Sequence, residues 1–485
     1  MPMTNRSRWI ALYVLCLGDL MIVLDGTIVN VALPSIRDDL GFSQTSLAWV
    51  VNAYLLTFGG FLLLGGRLGD LFGHRRLFLA GISLFTLASL GCGLANSQDL
   101  LVGARAVQGI GGAVVSAVAL SLLMTLFTEQ ADRAKAMGVF GFVLSGGGVL
   151  GVLLGGVLTD VLDWHWIFLV NLPVGVAVYF LSLRLLPAGG GQAATGRLDI
   201  AGAVSITASL MLAVYAIVKG NEVGWATAQT LGLLAAAVAL LAVFVVIEAR
   251  VSSPLVPLGL FRNRSVTTAN VIGVLMAAGM FAYFFFSALY LQQVLGYSPL
   301  EVGLAYLPGT IIWGASSLLL SDRLVMRYGI KTPLIGGMSL MAVALLLLAR
   351  APVDGNYFVD VLAATILIGI GAGIAFNPIL LAAMSGVEPS QAGLASGVVN
   401  TSFMMGGALG LAALASIAAS RTDALTSDGG AGFSALNAGY HLAFLVGAIF
   451  IAAAVAVAAG LLRAQEAPSH QGDEASAVPA AAEAD

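Results

Sequence analysis

The sequence predicts an all-α polytopic membrane protein with fourteen spanning helices. Three observations carry that prediction. Of 485 residues, 59% are hydrophobic and only 9% are charged, against about 25% charged in an ordinary soluble domain. The apolar residues fall in repeated runs of the roughly 20 residues that one membrane-spanning helix needs. The 21 basic residues alternate in density from one connecting segment to the next. So little charge excludes an ordinary cytosolic enzyme, a nucleic-acid binder and a disordered scaffold.

The runs are read in order from their punctuation. Span 1 (9–31) follows Arg6 and Arg8 and stops before Pro34. This basic start resembles a signal peptide, but the run is long and lacks a small-residue cleavage site, so it reads as a retained helix. Span 2 (47–69) closes on a glycine-rich basic segment, and span 3 (77–95) opens after Arg75 and Arg76. Span 4 (100–126) lies between Asp99 and Glu129, span 5 (136–160) between Lys135 and Asp160, and span 6 (164–186) between Asp163 and Pro187. Spans 7 (199–219) and 8 (225–248) end at Lys219 and near Arg250. Span 9 (266–291) follows Arg262 and Arg264, and span 10 (301–321) ends before Asp322. Span 11 (331–350) runs from Lys331 to Arg350, and span 12 (357–384) follows Asp354 and Gly355. Span 13 (391–419) ends before Arg421, and span 14 (439–463) ends at Arg463. A different break within 385–420 would leave thirteen.

Charge tests the count. With fourteen spans, sixteen basic residues fall on the side of the N-terminus. Only Arg37, Lys219, Arg350 and Arg421 fall on the other, and Arg105 lies within span 4. Positive charge concentrates in cytoplasmic segments, so both termini are expected in the cytoplasm. A missed span would invert every later loop. Eighteen of the basic residues are Arg and three are Lys, which with abundant Ala, Gly and Val suggests a GC-rich bacterial genome, so the expected location is a bacterial cell membrane.

The chain contains an internal echo. The segment 67–75 after span 2 reads RLGDLFGHR, and 323–331 after span 10 reads RLVMRYGIK. Gly147-Gly148-Val149-Leu150-Gly151 in span 5 is matched by Gly406-Gly407-Ala408-Leu409-Gly410 in span 13. Matches eight spans apart at nearly equal offset describe a six-span unit present twice, a common build of secondary transporters. The expected organisation is an N-terminal bundle (1–186), linkers with inserted helices 7 and 8 (187–265), a C-terminal bundle (266–463) and a disordered acidic tail (464–485).

These motifs resemble the major facilitator superfamily, specifically its 14-helix drug:proton antiporter branch. Span 1 ends Leu24-Asp25-Gly26-Thr27-Ile28-Val29-Asn30-Val31-Ala32-Leu33-Pro34, similar to that branch's first-helix motif. Residues 66–76 match the superfamily's loop between helices 2 and 3, and Arg105-Ala106-Val107-Gln108-Gly109 matches the helix-4 motif. The stretch 164–175 resembles the helix-6 motif, with His165 where the branch usually has Arg. Gly147, Gly151, Gly155 and Gly156 resemble the helix-5 antiporter motif, with Val152 in place of its proline. The resemblance implies a major facilitator fold of two six-helix bundles plus two central helices. It also implies a monomer in the lipid bilayer that exports lipophilic or cationic drugs or antibiotics in exchange for protons. A dedicated exporter of a native metabolite, such as a self-made antibiotic or siderophore, is the alternative. The Val152 departure leaves uptake by symport open, and a non-transporting membrane protein is the reading from a different class.

Acidic residues inside spans are costly, at least ~2.5–3.5 kcal/mol at the bilayer centre, and so are candidates for chemistry. Asp19 lies ten residues beyond Trp9, about 15 Å into the membrane. It reads either as a proton or cationic-substrate site or as a carboxylate held by a neighbouring helix. Asp25 reads either as a proton-coupling residue, as its family counterpart suggests, or as a packing hydrogen bond. Arg105 needs an acidic partner, Asp25 or Asp19, in a pair that either opens and closes with protonation or serves as static glue. By resemblance Gly66, Asp70, Gly73, Arg75 and Arg76 form a cytoplasmic latch; a positive-inside surface turn also explains the two arginines but not Asp70. Gly147, Gly151 and Gly155 have the small-xxx-small spacing that allows close helix crossing. Polar and aromatic midspan residues are candidate substrate contacts, namely Asn52, Tyr54, Gln108, Tyr283, Phe286, Gln292, Gln293, Asn377, Asn400, Phe403 and Met404. Each aromatic reads alternatively as facing lipid or a neighbouring helix. The dinucleotide-like Gly146-x-Gly148-x-x-Gly151 lies in an apolar span with no preceding strand and is a false match. No phosphate-binding loop, metal-ligand spacing or nucleophile–base set is visible, so neither a cofactor nor an enzymatic activity is expected.

Overall fold

The computed structural model describes residues 5–127, 129–186, 199–252, 254–388, 391–427 and 432–462. The connector 187–198 and the tail 464–485 lie outside them. Among the described residues there are fourteen helices long and apolar enough to cross a membrane, and no strand. They are α1 (Asn5–Leu40), α2 (Ser46–Gly69), α3 (His74–Gly93), α4 (Gln98–Leu126), α5 (Lys135–Val161), α6 (Trp166–Leu185) and α7 (Ile200–Asn221). They continue with α8 (Ala228–Arg250), α9 (Arg264–Val294), α10 (Pro299–Tyr328), α11 (Lys331–Leu348), α12 (Tyr357–Met384), α13 (Gly393–Ser427) and α14 (Gly432–Leu461). Below, the near face is the one on which α1 begins, and the far face is its opposite.

Each expected span has its helix, but several ends differ. α1 runs nine residues past the end of its apolar run, to Leu40, with Pro34 inside it. α13 continues through Ser420, Arg421, Thr422 and Asp423 to Ser427. Polar residues end a hydropathic run without breaking a helix, and no Gly or Pro intervenes there. α6 is interrupted at Val170, between a turn over Trp166–Leu169 and a helix over Asn171–Leu185. Pro173 has no N–H to offer the preceding turn, so the longer segment restarts at Asn171.

Helix packing shows the duplication directly. In the first six helices α2 and α3 pack on α4, α1 packs on α5, and both α3 and α1 pack on α6. In the last six, α10 and α11 pack on α12, α9 packs on α13, and both α11 and α9 pack on α14. Each pair recurs eight helices later. The contacts between the halves are also matched, since α5 meets α10 and α13 meets α2. The inserted α7 and α8 pack on each other, and α7 also lies against α2 and α13. Only 17% of the apolar window of α8 is buried, so most of this helix has no protein neighbour.

The echoed motifs occupy equivalent places. Gly73 (φ 93°) and Gly329 (φ 71°) turn the chain at the near face after α2 and α10, a backbone conformation open mainly to glycine. Gly147, Gly151 and Gly155 of α5 face Leu20, Leu24, Thr27 and Ile28 of α1. Gly406, Gly407 and Gly410 of α13 face Val274, Phe281 and Ala278 of α9 in the same manner. Gly156, one residue off that ladder, instead meets Pro299, Leu300 and Gly303 of α10 and so lies between the halves.

Candidate functional site

The membrane-embedded charges come together in the first half. Asp25 is fully buried and Arg105 is 1% exposed. Arg105 Nη1 donates to Asp25 Oδ2 in a direct ion pair. Arg105 Nε donates to Val50 O at 2.9 Å, and Nη1 also donates to Gln108 Oε1 at 2.7 Å. Gln108 Nε2 donates to Asp25 Oδ1 at 2.7 Å and to Ser89 Oγ at 2.8 Å. Asn171 Nδ2 donates to the same Asp25 oxygen at 3.1 Å. The carboxylate thus accepts from α4 and α6, and the guanidinium is fixed by α1, α2 and α4.

Local sequence explains this assembly. On α4, Arg105, Gln108, Gly112 and Ser116 lie at i, i+3, i+7 and i+11, one stripe of a 3.6-residue helix. The restart of α6 at Asn171 puts its amide in the first turn, at the level of Ser89 on α3. Tyr54 of α2 closes one face, with the Arg105 guanidinium carbon 4.3 Å above its ring centre. The Phe168 ring lies 5.6 Å from the same carbon. A desolvated cation over an aromatic face gains about 2 kcal/mol, which partly offsets the cost of burying the charge. Pairing and hydrogen bonding supply the rest.

Asp19 is separate from this cluster. It is 3% exposed, and Ser116 Oγ on α4 donates to its Oδ1. Tyr54 packs against α4 at Gly112, between Gln108 and Ser116 in sequence. A Cβ at Gly112 would sit 3.1 Å from the Tyr54 hydroxyl, and that buried hydroxyl has no hydrogen-bond partner. One tyrosine therefore packs both under the locked pair and on α4 four residues before the serine that holds Asp19.

The other anticipated contacts are dispersed. Gln108 and Tyr54 belong to the charge cluster, Gln108 bonded to Arg105, Asp25 and Ser89 and Tyr54 packed under the Arg105 guanidinium. Asn52 is fully buried, with neither side-chain atom hydrogen-bonded. Tyr283 and Phe286 are buried inside the second half, Tyr283 against Phe284 and Tyr306 and Phe286 against Tyr440 and Phe444. Gln292 Nε2 donates to Val31 O across the halves at 2.7 Å, and Gln293 Oε1 accepts from Tyr440 at 2.9 Å. Phe403 packs on Phe281 and Phe376, Met404 faces Gly59 of α2, and Asn377 and Asn400 are half-buried. In the 66–76 segment a Cβ at Gly66 would meet nothing within 4 Å, while Arg75 donates to Leu183 O at the end of α6. Arg76 is exposed, and Asp70 lies on the helix continuing α2 with its side chain outside those described.

Ser89, Ser116 and Asn171 were not anticipated as site residues. Asn171 stood within the helix-6 motif, and its polarity in an apolar run was the available signal. The two serines carried none, since a lone serine in a helix can satisfy itself on its own backbone.

A fourteen-helix duplicated bundle with a charge pair sealed inside one half matches one family model. The model of the Major Facilitator Superfamily covers residues 15–411. The chain belongs to the major facilitator superfamily. It is therefore a membrane transporter and not an enzyme. Among similar proteins of that superfamily is the puromycin resistance protein pur8 of Streptomyces alboniger. It is 40% identical over 93% of this chain and 91% of its own length. The cephamycin export protein CmcT of Amycolatopsis lactamdurans is 40% identical over 85% of each. The multidrug resistance protein Stp of Mycobacterium tuberculosis is 36% identical over 86% of this chain and 76% of its own length. A solved bacterial homologue of the lysosomal transporter Spinster, in an inward-facing and unoccupied conformation, shares the fold. It has a TM-score of 0.65 at 16% identity, over 94% of this chain and 97% of that one.

Proposed function

We propose that this transporter exports lipophilic, in part cationic, antibiotics or drugs from a bacterial cytoplasm in exchange for protons, by alternating access. The observation that carries proton coupling is the buried Asp25–Arg105 pair. Protonation of Asp25 would remove the charge that holds the guanidinium and free the α1–α4 contact to rearrange. Asp19, with one hydroxyl partner, is the second acid and the one available to a cationic substrate. The bodies that rock are residues 1–186 and 266–463, with both termini cytoplasmic. The near-face segment from Gly66 to Arg76 latches one state. Proton entry supplies ~2.3 kcal/mol per charge for each 100 mV, in addition to any pH gradient.

The names of the relatives support antibiotic export, and several favour a narrower reading. Pur8, CmcT and the Streptomyces lincolnensis lincomycin resistance protein are each named for one antibiotic class. A dedicated exporter of a native compound is therefore the second reading. A panel of toxins in an efflux-deficient host separates the two, since protection against many supports multidrug export and protection against one supports the dedicated exporter.

Proteoliposomes with an imposed pH gradient test the coupling. Wild-type protein should accumulate substrate against its gradient. Asp25→Asn and Arg105→Ala should lose gradient-driven flux while still inserting in the membrane, and Asp19→Asn should lose cationic substrates first. Undiminished pH-driven flux in Asp25→Asn would refute the coupling role.

A further inference from the structure

Four basic residues depart from the charge asymmetry and lie at the far face: Arg37, Lys219, Arg350 and Arg421. Two of them are accounted for. Arg37 is ion-paired with Asp38 at 2.8 Å, and Lys219 has an interaction partner. Among the described residues, Arg350 and Arg421 have neither a hydrogen-bond nor an ion-pair partner for their side chains. They come from different helix ends, α11 and α13, yet border one groove of about 400 Å³ together with His441 of α14.

The groove is a built feature. His441 Nε2 donates to Ala351 O at 2.7 Å, and Asn437 Nδ2 donates to the same oxygen at 3.0 Å. The chain just after Arg350 is thereby pinned to α14. Below the two guanidinium groups the groove continues along Leu346, Leu442 and Leu445. Leu346 and Leu445 are 40% and 41% exposed on helices that cross the bilayer. The groove therefore has a dicationic head at the membrane boundary and an apolar floor running into the hydrocarbon. None of its lining residues is acidic. Asp360, in the first turn of α12, is turned to the Asn356 backbone N–H at 2.7 Å.

We propose that this groove binds the phosphodiester headgroup of an anionic phospholipid, with one acyl chain laid along Leu346, Leu442 and Leu445. Unpaired guanidinium groups match phosphate oxygens in geometry and charge. An apolar floor adds what a free phosphate could not use. The site lies on the lipid-facing side of the second half, away from Asp25, Arg105 and Asp19.

Native mass spectrometry of the full-length protein titrated with phosphatidylglycerol or phosphatidylcholine tests the assignment. Wild-type protein should retain phosphatidylglycerol about tenfold more strongly than phosphatidylcholine. Arg350→Gln/Arg421→Gln should lose most of that preference while remaining monodisperse. Millimolar inorganic phosphate should not displace the lipid. No preference in the wild type would overturn the proposal whatever the variant does. Equal preference in a folded variant would place the lipid elsewhere, and displacement by phosphate would make this a site for free anions.

Discussion

At the residue scale, the Asp25–Arg105 pair couples two side chains that are each costly alone. Removing one partner leaves an uncompensated buried charge, typically at a cost of about 3–5 kcal/mol. Arg105→Gln and Asp25→Asn should each lower the unfolding temperature in detergent. The double variant Asp25→Asn/Arg105→Gln should recover part of the loss, because two neutral amides can hydrogen-bond where the charges were. Additive losses in this double-mutant cycle would mean that the two side chains do not act as a pair. Both members were legible in the sequence because a charge in an apolar run stands out by its cost. Gln108 was legible as polar but not as a cluster member. Its role depends on Ser89 and Asn171, which lie on other helices, and one-dimensional spacing cannot bring α3, α4 and α6 together.

At the element scale, α4 is the central post of the first half, packed by α2 and α3 on different sides. Its glycines have opposite roles. A Cβ at Gly111 would stand 2.7 Å from Phe85 N and 2.9 Å from Phe85 Cα, both backbone atoms of α3. A Cβ at Gly103 would meet nothing within 4 Å. Gly111→Ala should therefore force α3 and α4 apart and reduce folded yield. Gly103→Ala should be neutral or stabilising by up to ~1 kcal/mol, the helix-propensity gain of Ala over Gly. Thermal unfolding of the two variants checks the opposite signs, and equal destabilisation would remove the packing explanation. The number and order of helices were legible because hydropathic length and basic loops report them independently. Helix ends such as Ser427 were not. They depend on propensity and on the absence of breakers after the apolar run has stopped.

At the scale of the whole molecule, the halves meet through matched contacts, α5 on α10 and α13 on α2. The duplication was legible in two short motifs. Which glycine faces which partner was not, because Gly155 and Gly156 are adjacent in sequence and point to different halves. A Cβ at Gly155 would lie 2.6 Å from Ile28 O on α1, inside the first half. A Cβ at Gly156 would lie 2.7 Å from Pro299 O and 3.0 Å from Leu300 Cα, across the boundary. Gly155→Ala should thus weaken a bundle, whereas Gly156→Ala should separate two intact bundles at the far face and shift the population toward conformers open there. The carbonyl of Val31, with its side chain fully buried, anchors Gln292 across the same boundary. In a background lacking Cys16 and Cys92, a cysteine in place of Val31 should react at least roughly threefold faster with an impermeant maleimide when Gly156→Ala is present. That ratio corresponds to ~0.7 kcal/mol of population shift. Gly155→Ala should lower protein yield without that acceleration. Equal labelling in the wild type and Gly156→Ala would mean that the α5–α10 crossing does not hold the far face closed.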